Sequence, residues 1–256
     1  MTRFSQMMEN SGGSIFELQC TATAALPQSD IIGSQFAEVQ GVRGADKWDL
    51  GWGWNMATEY MAQAYEPNDP RKNATLLYFR RSDSDPITPE NTNEPYGESP
   101  VSPAIGAYFN KKAYTDPALR KEYTNKGFWV NIRLIRYSDV VLMAAEAANE
   151  KGIPGEAVDY LEMVRARARG KDTSILPKIT TNDQSELREA IRHERRVELG
   201  MEFDRFYDLV RWGIASEVLH AAGKVNYQPK NALLPLPQTE IDKSKGVLVQ
   251  NPDYAQ

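Results

Sequence analysis

Between Arg188 and Arg211 the chain alternates acids with arginines and holds few apolar residues, REAIRHERRVELGMEFDRFYDLVR. On a helix, Glu194, Glu198 and Glu202 follow one another at i, i+4 and i+8, so their carboxylates lie on one stripe. Two carboxylates can hydrolyse a glycosidic bond when they lie about 5 to 9.5 Å apart and an apolar pocket raises the pKa of one of them. An acid/base glycoside hydrolase is therefore one interpretation of this segment.

The neighbouring arginines argue against hydrolysis, because a guanidinium close to a carboxyl group lowers its pKa. A zinc site fails on spacing, since His193 and Glu194 begin an H-E-x-x-H pattern but Val197 stands where the second histidine is needed. We favour the remaining interpretation, an ion-pair framework between helices. It predicts that the carboxylate stripe pairs with Arg136 or with arginines at the end of the preceding helix, which are Arg165, Arg167 and Arg169.

Helical periodicity predicts the elements that hold this segment. A helical hairpin is expected over about residues 132–170, where an extended run turns helical near Tyr137, Gly152 ends the first helix and a second helix spans Glu156 to Arg169. The hairpin is close to the size of a tetratricopeptide repeat, about 34 residues, and one such unit cannot cover its own apolar faces. Charged helices and a C-terminal tail are expected over about residues 181–256.

The first half of the chain, about residues 1–128, is predicted to be loop-rich with a few short strands. A strand is expected from Ser14 to Cys20, and a helical pattern starts near Met56. Residues 82–103 contain five prolines and form a long loop, of the kind that often carries function. The predicted fold class is therefore mainly α, with a tetratricopeptide-type hairpin packed on this loop-rich region.

Composition narrows the possible functions. The chain has 256 residues, of which 41% are hydrophobic and 25% charged, and it shows no linker-like run, so we predict one globular domain. A net charge of −5, with acids and arginines intermixed, provides no basic stripe for nucleic acid. One cysteine and two histidines favour neither a disulfide nor a histidine-rich metal site, and we expect no cofactor and no metal.

The first residues lack the basic and apolar runs of an export signal, and no stretch approaches the roughly 20 apolar residues of a membrane helix. Met1 therefore begins either a cytosolic protein or the later part of a longer one.

Several separate segments follow the pattern of one family. RLIRYSDVVLMAAEAANEKG is similar to its helix "R-Y-A-D-V-L-L-M-x-A-E-A", with Ser138 where alanine is usual. IRHERRVELGMEFDRFYDLVRWG is similar to "ERR-x-E-L-x-x-E-x-x-R-x-x-D-L-x-R-W-G", and LLPLPQTEI and VLVQNPDY fit "P-I-P-x-x-E-I" and "Q-N-P-G-Y", with Asp253 in place of glycine. With SIFELQC and GWGWNMATEYMAQAYEPNDPR upstream, nearly the whole chain resembles the SusD/RagB family, the surface glycan-binding lipoproteins of Bacteroidetes.

The resemblance implies a SusD-like fold and a non-catalytic role, in which an oligosaccharide is captured at the outer-membrane surface and delivered to a TonB-dependent SusC-type transporter. Family members begin with a lipidated cysteine and further tetratricopeptide-like helices. We therefore expect this chain to be the C-terminal part of a longer protein, attached to the membrane only by a lipid anchor on the missing part. Two alternatives stay open, a tetratricopeptide-like scaffold for a peptide or protein and the glycoside hydrolase.

Sugar recognition needs accessible aromatic rings, because the apolar face of a pyranose stacks on a ring while Asn, Asp and Arg bond its hydroxyls. Trp48 lies in a Gly-flanked loop and Tyr96 in the proline-rich loop, each with polar neighbours. The predicted glycan-binding residues are Trp48, Arg43, Asp46, Tyr96 and Asn93.

The other tryptophans are assigned to packing. Trp52 and Trp54 lie in GWGW, which follows the family pattern across members with unlike ligands. Trp129 alternates with its neighbours on a predicted strand and is expected to be buried, and Trp212 belongs to the framework segment.

Overall fold

The computed structural model describes residues 11–20, 33–44, 48–79, 107–116 and 129–254. Contacts divide the chain into two compact units, residues 1–201 and 202–256. The sequence predicted one domain, since no glycine- or serine-rich linker marks a boundary near residue 201. Among the helices of the described residues, none is long and apolar enough to cross a membrane.

The protein is mainly helical with a few short strands, and the predicted fold class is confirmed. Helices of the first unit are α1 (Phe36–Gln40), α2 (Glu59–Ala62), α3 (Pro70–Thr75), α4 (Tyr137–Glu150), α5 (Pro154–Arg169) and α6 (Gln184–Glu198). Those of the second unit are α7 (Arg205–Arg211), α8 (Ala215–Ala221) and α9 (Gln238–Lys243). Two antiparallel pairs of strands lie in the first unit, β1 (Ser14–Leu18) with β4 (Ile132–Arg136) and β2 (Leu76–Tyr78) with β3 (Tyr108–Asn110).

Helices α4 and α5 form the predicted hairpin. Gly152 adopts a φ of +79° in the turn between them, a left-handed conformation that glycine takes without strain. Ala145 and Ala157 are fully buried, and their small side chains allow the two helices to approach closely. Helix α6 packs on both, and the shared core consists of Val141, Leu142, Ala145, Ala148, Ala157, Val158, Leu161, Val164, Leu187 and Ile191.

Helix α6 carries most of the charged segment. The Asp183 carboxylate begins it by accepting hydrogen bonds from the backbone N–H groups of Ser185 and Glu186. The helix ends at Glu198, three residues before Met201 turns the backbone to a φ of +68°. Glu202 is therefore not on this helix, and the predicted three-carboxylate stripe has only two members.

The loop-rich part of the first unit has its own core, although its helices are single turns. The helical pattern near Met56 gives only the short helix α2, which Thr58 caps through a hydrogen bond from the Met61 N–H. The cluster of buried apolar residues around Trp48 in this part consists of Val42, Trp48, Leu50, Leu77, Phe79, Phe109 and Tyr114. The long loop predicted over residues 82–103 lies outside the described residues.

In the second unit the two closing segments of the chain bond to each other. The Gln250 side chain accepts a hydrogen bond from the Leu236 N–H and donates one to the Leu236 carbonyl, at 2.8 and 2.9 Å. The Tyr254 hydroxyl donates to the Leu233 carbonyl at 2.8 Å. Between them Asp253 adopts a φ of +65°, which gives a physical reason for the glycine that the family pattern has at this position.

Candidate functional site

Trp48 is part of the core of the first unit. Only 1% of its surface is exposed, and its ring meets Phe79 edge-on and Tyr114 at a tilt, with centroid distances of 4.8 and 5.7 Å. The exposed stacking platform predicted at Trp48 is therefore wrong. The loop folds inward because the backbone N–H groups of Leu50 and Gly51 both donate to the Val42 carbonyl, which holds Trp48 against the core.

Of the other predicted site residues, the structure describes only Arg43. Arg43 is exposed and forms an antiparallel bridge with Asp49 across the loop. Asp46, Asn93 and Tyr96 lie outside the described residues.

Trp48→Ala is expected to lower the free energy of unfolding by about 3–5 kcal/mol, because it removes a large buried ring and leaves a cavity between two aromatic partners. Urea denaturation followed by tryptophan fluorescence and circular dichroism measures this loss. The matched control is Trp54→Ala, since 60% of Trp54 is exposed. Equal stability of the two variants would contradict the core position of Trp48.

Trp52 and Trp54 form an exposed pair, in contrast to the packing role predicted for them. They are 38% and 60% exposed, and their rings meet at 64° with centroids 4.9 Å apart. Gly51, which precedes the pair, and Gly53, which lies between the two tryptophans, are buried. The two glycines thus face the interior, and the two tryptophans face outward.

Close backbone contact explains the glycine at position 51. A Cβ atom added to Gly51 would overlap the Glu38 carbonyl, and the Trp52 N–H donates to the same carbonyl at 2.9 Å. The Trp54 N–H donates to the Val39 carbonyl at 2.8 Å. Helix α1 therefore holds residues 51–54, the tryptophan segment, through two backbone hydrogen bonds, and only a residue without a side chain fits at position 51.

The turn that projects Trp54 is also held by side chains. Gly53 and Asn55 adopt φ values of +69° and +54°, so Trp54 stands between two left-handed residues. Asn55 Nδ2 donates to Gln40 Oε1 at 2.8 Å, and Asn110 Nδ2 donates to the same oxygen at 2.8 Å. Gln40 is buried, and this network fixes the turn before any ligand is present.

Glu194 is the centre of the buried ion pairs. Its side chain is fully buried, accepts from Arg71 Nη1, and lies 2.9 Å from Arg165 Nη1. Arg71 also pairs with Asp69 at 2.8 Å, and Arg165 with Glu66 at 2.7 Å. The arrangement connects α3, α5 and α6.

Glu198 forms the second half of this framework. Its carboxylate pairs with Arg167, Arg136 and Arg71 at 2.6, 3.2 and 3.4 Å, and Lys112 donates to its backbone carbonyl. The predicted pairing of the carboxylates with Arg165, Arg167 and Arg136 is confirmed. Arg169 instead pairs with Glu162 at 2.8 Å. Arg71 was not foreseen, because it precedes Glu194 by 123 residues and no local pattern connects them.

The surroundings of Glu198 keep it ionised. Burial acts to raise its pKa, but Arg167, Arg136, Lys112 and Arg71 outweigh burial and lower the pKa to about 2. A carboxyl group with this pKa does not donate a proton near neutral pH. In the part of the chain that the structure describes, no group of three or more His, Cys, Asp and Glu side chains is arranged to hold a metal ion.

The low pKa of Glu198 predicts a pH dependence of stability. Its usual value is about 4.5 and its folded value about 2, so its contribution is complete above pH 4.5 and is lost as the pH falls toward 2. Urea denaturation of the parent and of Glu198→Gln at intervals from pH 6 to pH 2.5 measures it. The free-energy difference between them should shrink by a few kcal/mol over that interval. A constant difference would contradict the low pKa.

The amino-acid sequence matches the sequence model of the SusD family over residues 32–254. The chain belongs to the SusD family. This SusD-family chain is 32% identical to the SusD-like protein P2 of Formosa agariphila over 229 residues, which are 85% of the chain and 44% of P2. It is 39% identical to the SusD-like protein P25 of the same organism over 114 residues, 42% of the chain and 21% of P25. The predicted family is confirmed.

Solved structures of SusD-like proteins superpose on nearly the whole chain. Surface glycan-binding protein A from Bacteroides thetaiotaomicron, in complex with laminarihexaose, aligns with a TM-score of 0.73 and 27% identity over 97% of this chain and 54% of that protein. A laminarin-binding SusD-like protein aligns with a TM-score of 0.72 and 27% identity over 96% of this chain and 51% of that protein. The SusD-family chain thus spans about half the length of the relatives that it matches.

Proposed function

We propose that the protein containing this chain binds an oligosaccharide at the cell surface without cleaving it and delivers it to a TonB-dependent SusC-type transporter in the outer membrane. The observation that carries this proposal is the likeness, over 97% of the chain, to a glycan-binding protein whose structure holds laminarihexaose. Laminarihexaose is a glucose hexamer, so a glucan oligosaccharide is the first ligand to test.

The exposed Trp52–Trp54 pair is the stacking platform in this proposal. Two ring faces at 64° can contact neighbouring sugar residues of a curved chain, and the network around Gln40 keeps them in place. The proposed additional contacts are Arg43, Asp46, Asn93 and Tyr96. Of these, Arg43 is exposed and bridges Asp49, shortly before the tryptophan pair.

The hydrolase alternative would use the carboxylates of Glu194 and Glu198. The burial and pairing of these two groups support binding without cleavage instead. Glu194 and Glu198 are buried and paired with arginines, and the low pKa of Glu198 prevents it from acting as a general acid near neutral pH. A glycoside hydrolase needs one carboxyl group with a raised pKa beside the scissile bond.

Isothermal titration with laminarihexaose, cellohexaose, maltohexaose and xylohexaose tests the binding. We expect heat of binding with at least one glucan and no shorter products in the same samples after overnight incubation. A folded protein that binds none of a broad glycan panel, or one that releases products, would contradict the proposal.

Binding to the transporter is tested with the complete protein, by co-purification from outer membranes. Retention of a peptide instead of a glycan would favour the tetratricopeptide-like scaffold.

A further inference from the structure

A cavity lies in the first unit, and Trp52 and Trp54 do not line it. Its volume is about 290 Å³, close to the lower end of the range for small-molecule sites. The turn before β1, the end of β4, the first turn of α4 and the last turns of α5 enclose it. None of the residues that line it belongs to the tryptophan segment.

The charged residues that line this cavity are all arginines, although the chain carries a net charge of −5. They are Arg133, Arg136 and Arg167. Arg133 Nε lies 3.1 Å from Glu17, and Arg136 and Arg167 share the Glu198 carboxylate. These contacts fix the guanidinium groups in position, so little side-chain freedom would be lost when a ligand binds.

Arg167 is the arginine best placed to meet a ligand. Its Nη2 donates to Glu198 at 2.6 Å, while half of its side chain is exposed. The cavity also lies at the N-terminal end of α4, a 14-residue helix whose dipole adds partial positive charge. Three guanidinium groups against the two carboxylates of Glu17 and Glu198 leave one positive charge in excess, which favours an anionic group over a neutral one.

The rest of the lining suits a sugar ring. Val141 and Val164 are buried and form an apolar floor, and Tyr137, half-exposed, places its ring at the wall. Ser11 and Ser14, just before and in β1, add hydroxyl-bearing side chains to the lining. A pyranose has one apolar face for the ring and the floor, and hydroxyls that serine and arginine can bond.

We propose that this cavity binds an acidic sugar residue, a pyranose that carries a carboxylate or a sulfate ester. The guanidinium groups hold the oxyanion, and Arg167 bonds it directly, because a guanidinium fits two oxygens of one carboxylate or sulfate at once. Tyr137 contacts the apolar face of the ring. The site is independent of the tryptophan pair, so either can bind its ligand without the other.

Titration followed by NMR tests this site with methyl β-D-glucuronoside, methyl β-D-glucoside and methyl β-D-glucoside 6-sulfate. We expect at least one of the two anionic sugars to bind about tenfold more tightly than the neutral glucoside, and its binding to weaken in 0.5 M salt, about where charges are screened beyond 4 Å. The anionic sugar that binds identifies the oxyanion. Inorganic sulfate is the control for an oxyanion that carries no sugar ring, and it should bind more weakly than the anionic sugar that binds.

Two variants locate the binding. Arg167→Gln and Tyr137→Ala should each weaken the anionic sugar about tenfold, and Arg167→Lys should restore part of the loss. Tyr137→Ala changes a half-exposed side chain, so it provides a folded variant if Arg167→Gln disturbs the ion pairs. The matched control is Arg188→Gln, because Arg188 pairs with Glu150 and does not line the cavity. The two variants should leave laminarihexaose binding unchanged, which separates this site from the proposed glucan platform.

Three results would overturn the proposal. The first is equal affinity for the neutral and the anionic sugars. The second is sulfate binding as tight as that of the sugars, which would show an adventitious ion only. The third is unchanged affinity in a folded Tyr137→Ala variant.

Discussion

Replacement of Glu194 with alanine is expected to lower the free energy of unfolding by about 3–5 kcal/mol. The carboxylate is fully buried and accepts from both Arg71 and Arg165. Its removal leaves two guanidinium groups in a low-dielectric interior with one partner fewer each, and the desolvation of those charges is no longer compensated. Arg71 retains Asp69 and Arg165 retains Glu66, so we expect a destabilised but foldable protein.

Chemical denaturation of the parent, Glu194→Ala and Glu189→Ala measures the effect. Glu189 lies on the same helix and pairs with Arg192, but its side chain is 67% exposed. Loss of an exposed pair costs at most about 0.5–1 kcal/mol. A similar small loss for Glu194→Ala would mean that water reaches the pair and that the framework does not stabilise the fold.

The ion-pair framework connects segments of the first unit that are distant in sequence. Asp69 begins α3 by accepting from the Arg71 N–H, and the same carboxylate orients the Arg71 side chain toward Glu194 on α6. From the other side Arg136, at the end of β4, reaches Glu198. The charged segment that first suggested catalysis therefore positions α3, β4 and the hairpin relative to one another within the first unit.

Local elements were predictable because their signals lie within a few residues. The turn at Gly152 and the cap at Asp183 each act over one helical turn, and the hairpin follows from the spacing of its apolar residues. Arg71 was missed for the opposite reason, since a pair separated by 123 residues leaves no periodic trace. The stripe of three carboxylates was wrong because Met201, between Glu198 and Glu202, adopts a positive φ that its side chain does not announce.

The candidate site was harder to predict than the fold. Glycine and charge around Trp48 indicate a loop, but they do not indicate to which side the loop folds its ring. The structure resolves the direction at GWGW, where Gly51 tolerates no Cβ atom and faces inward. Trp52 and Trp54 are exposed although GWGW follows the family pattern, so that match did not indicate burial.

Trp54→Ala should lower the affinity for the best glucan of the panel by about 10- to 100-fold, equivalent to roughly 1.4–2.8 kcal/mol. The ring is 60% exposed and its backbone is fixed by the Val39 carbonyl and by Gln40, so its stacking energy is lost without a change of scaffold. The melting temperature should therefore change by no more than about 2 °C. Titration calorimetry and thermal unfolding of the same samples measure both quantities.

Tyr207→Ala is the matched control, because Tyr207 is an exposed aromatic residue of the second unit, with 72% of its surface accessible. General loss of aromatic surface would weaken binding equally in both variants, whereas a platform at Trp52 and Trp54 predicts a loss in Trp54→Ala alone. If Trp54→Ala binds as the parent does, the glucan contacts lie elsewhere, and Arg43, Asp46, Asn93 and Tyr96 become the next positions to change. If Trp54→Ala alone loses affinity, stability and binding depend on different tryptophans. Trp48→Ala then lowers the free energy of unfolding, and Trp54→Ala lowers the affinity for the glucan.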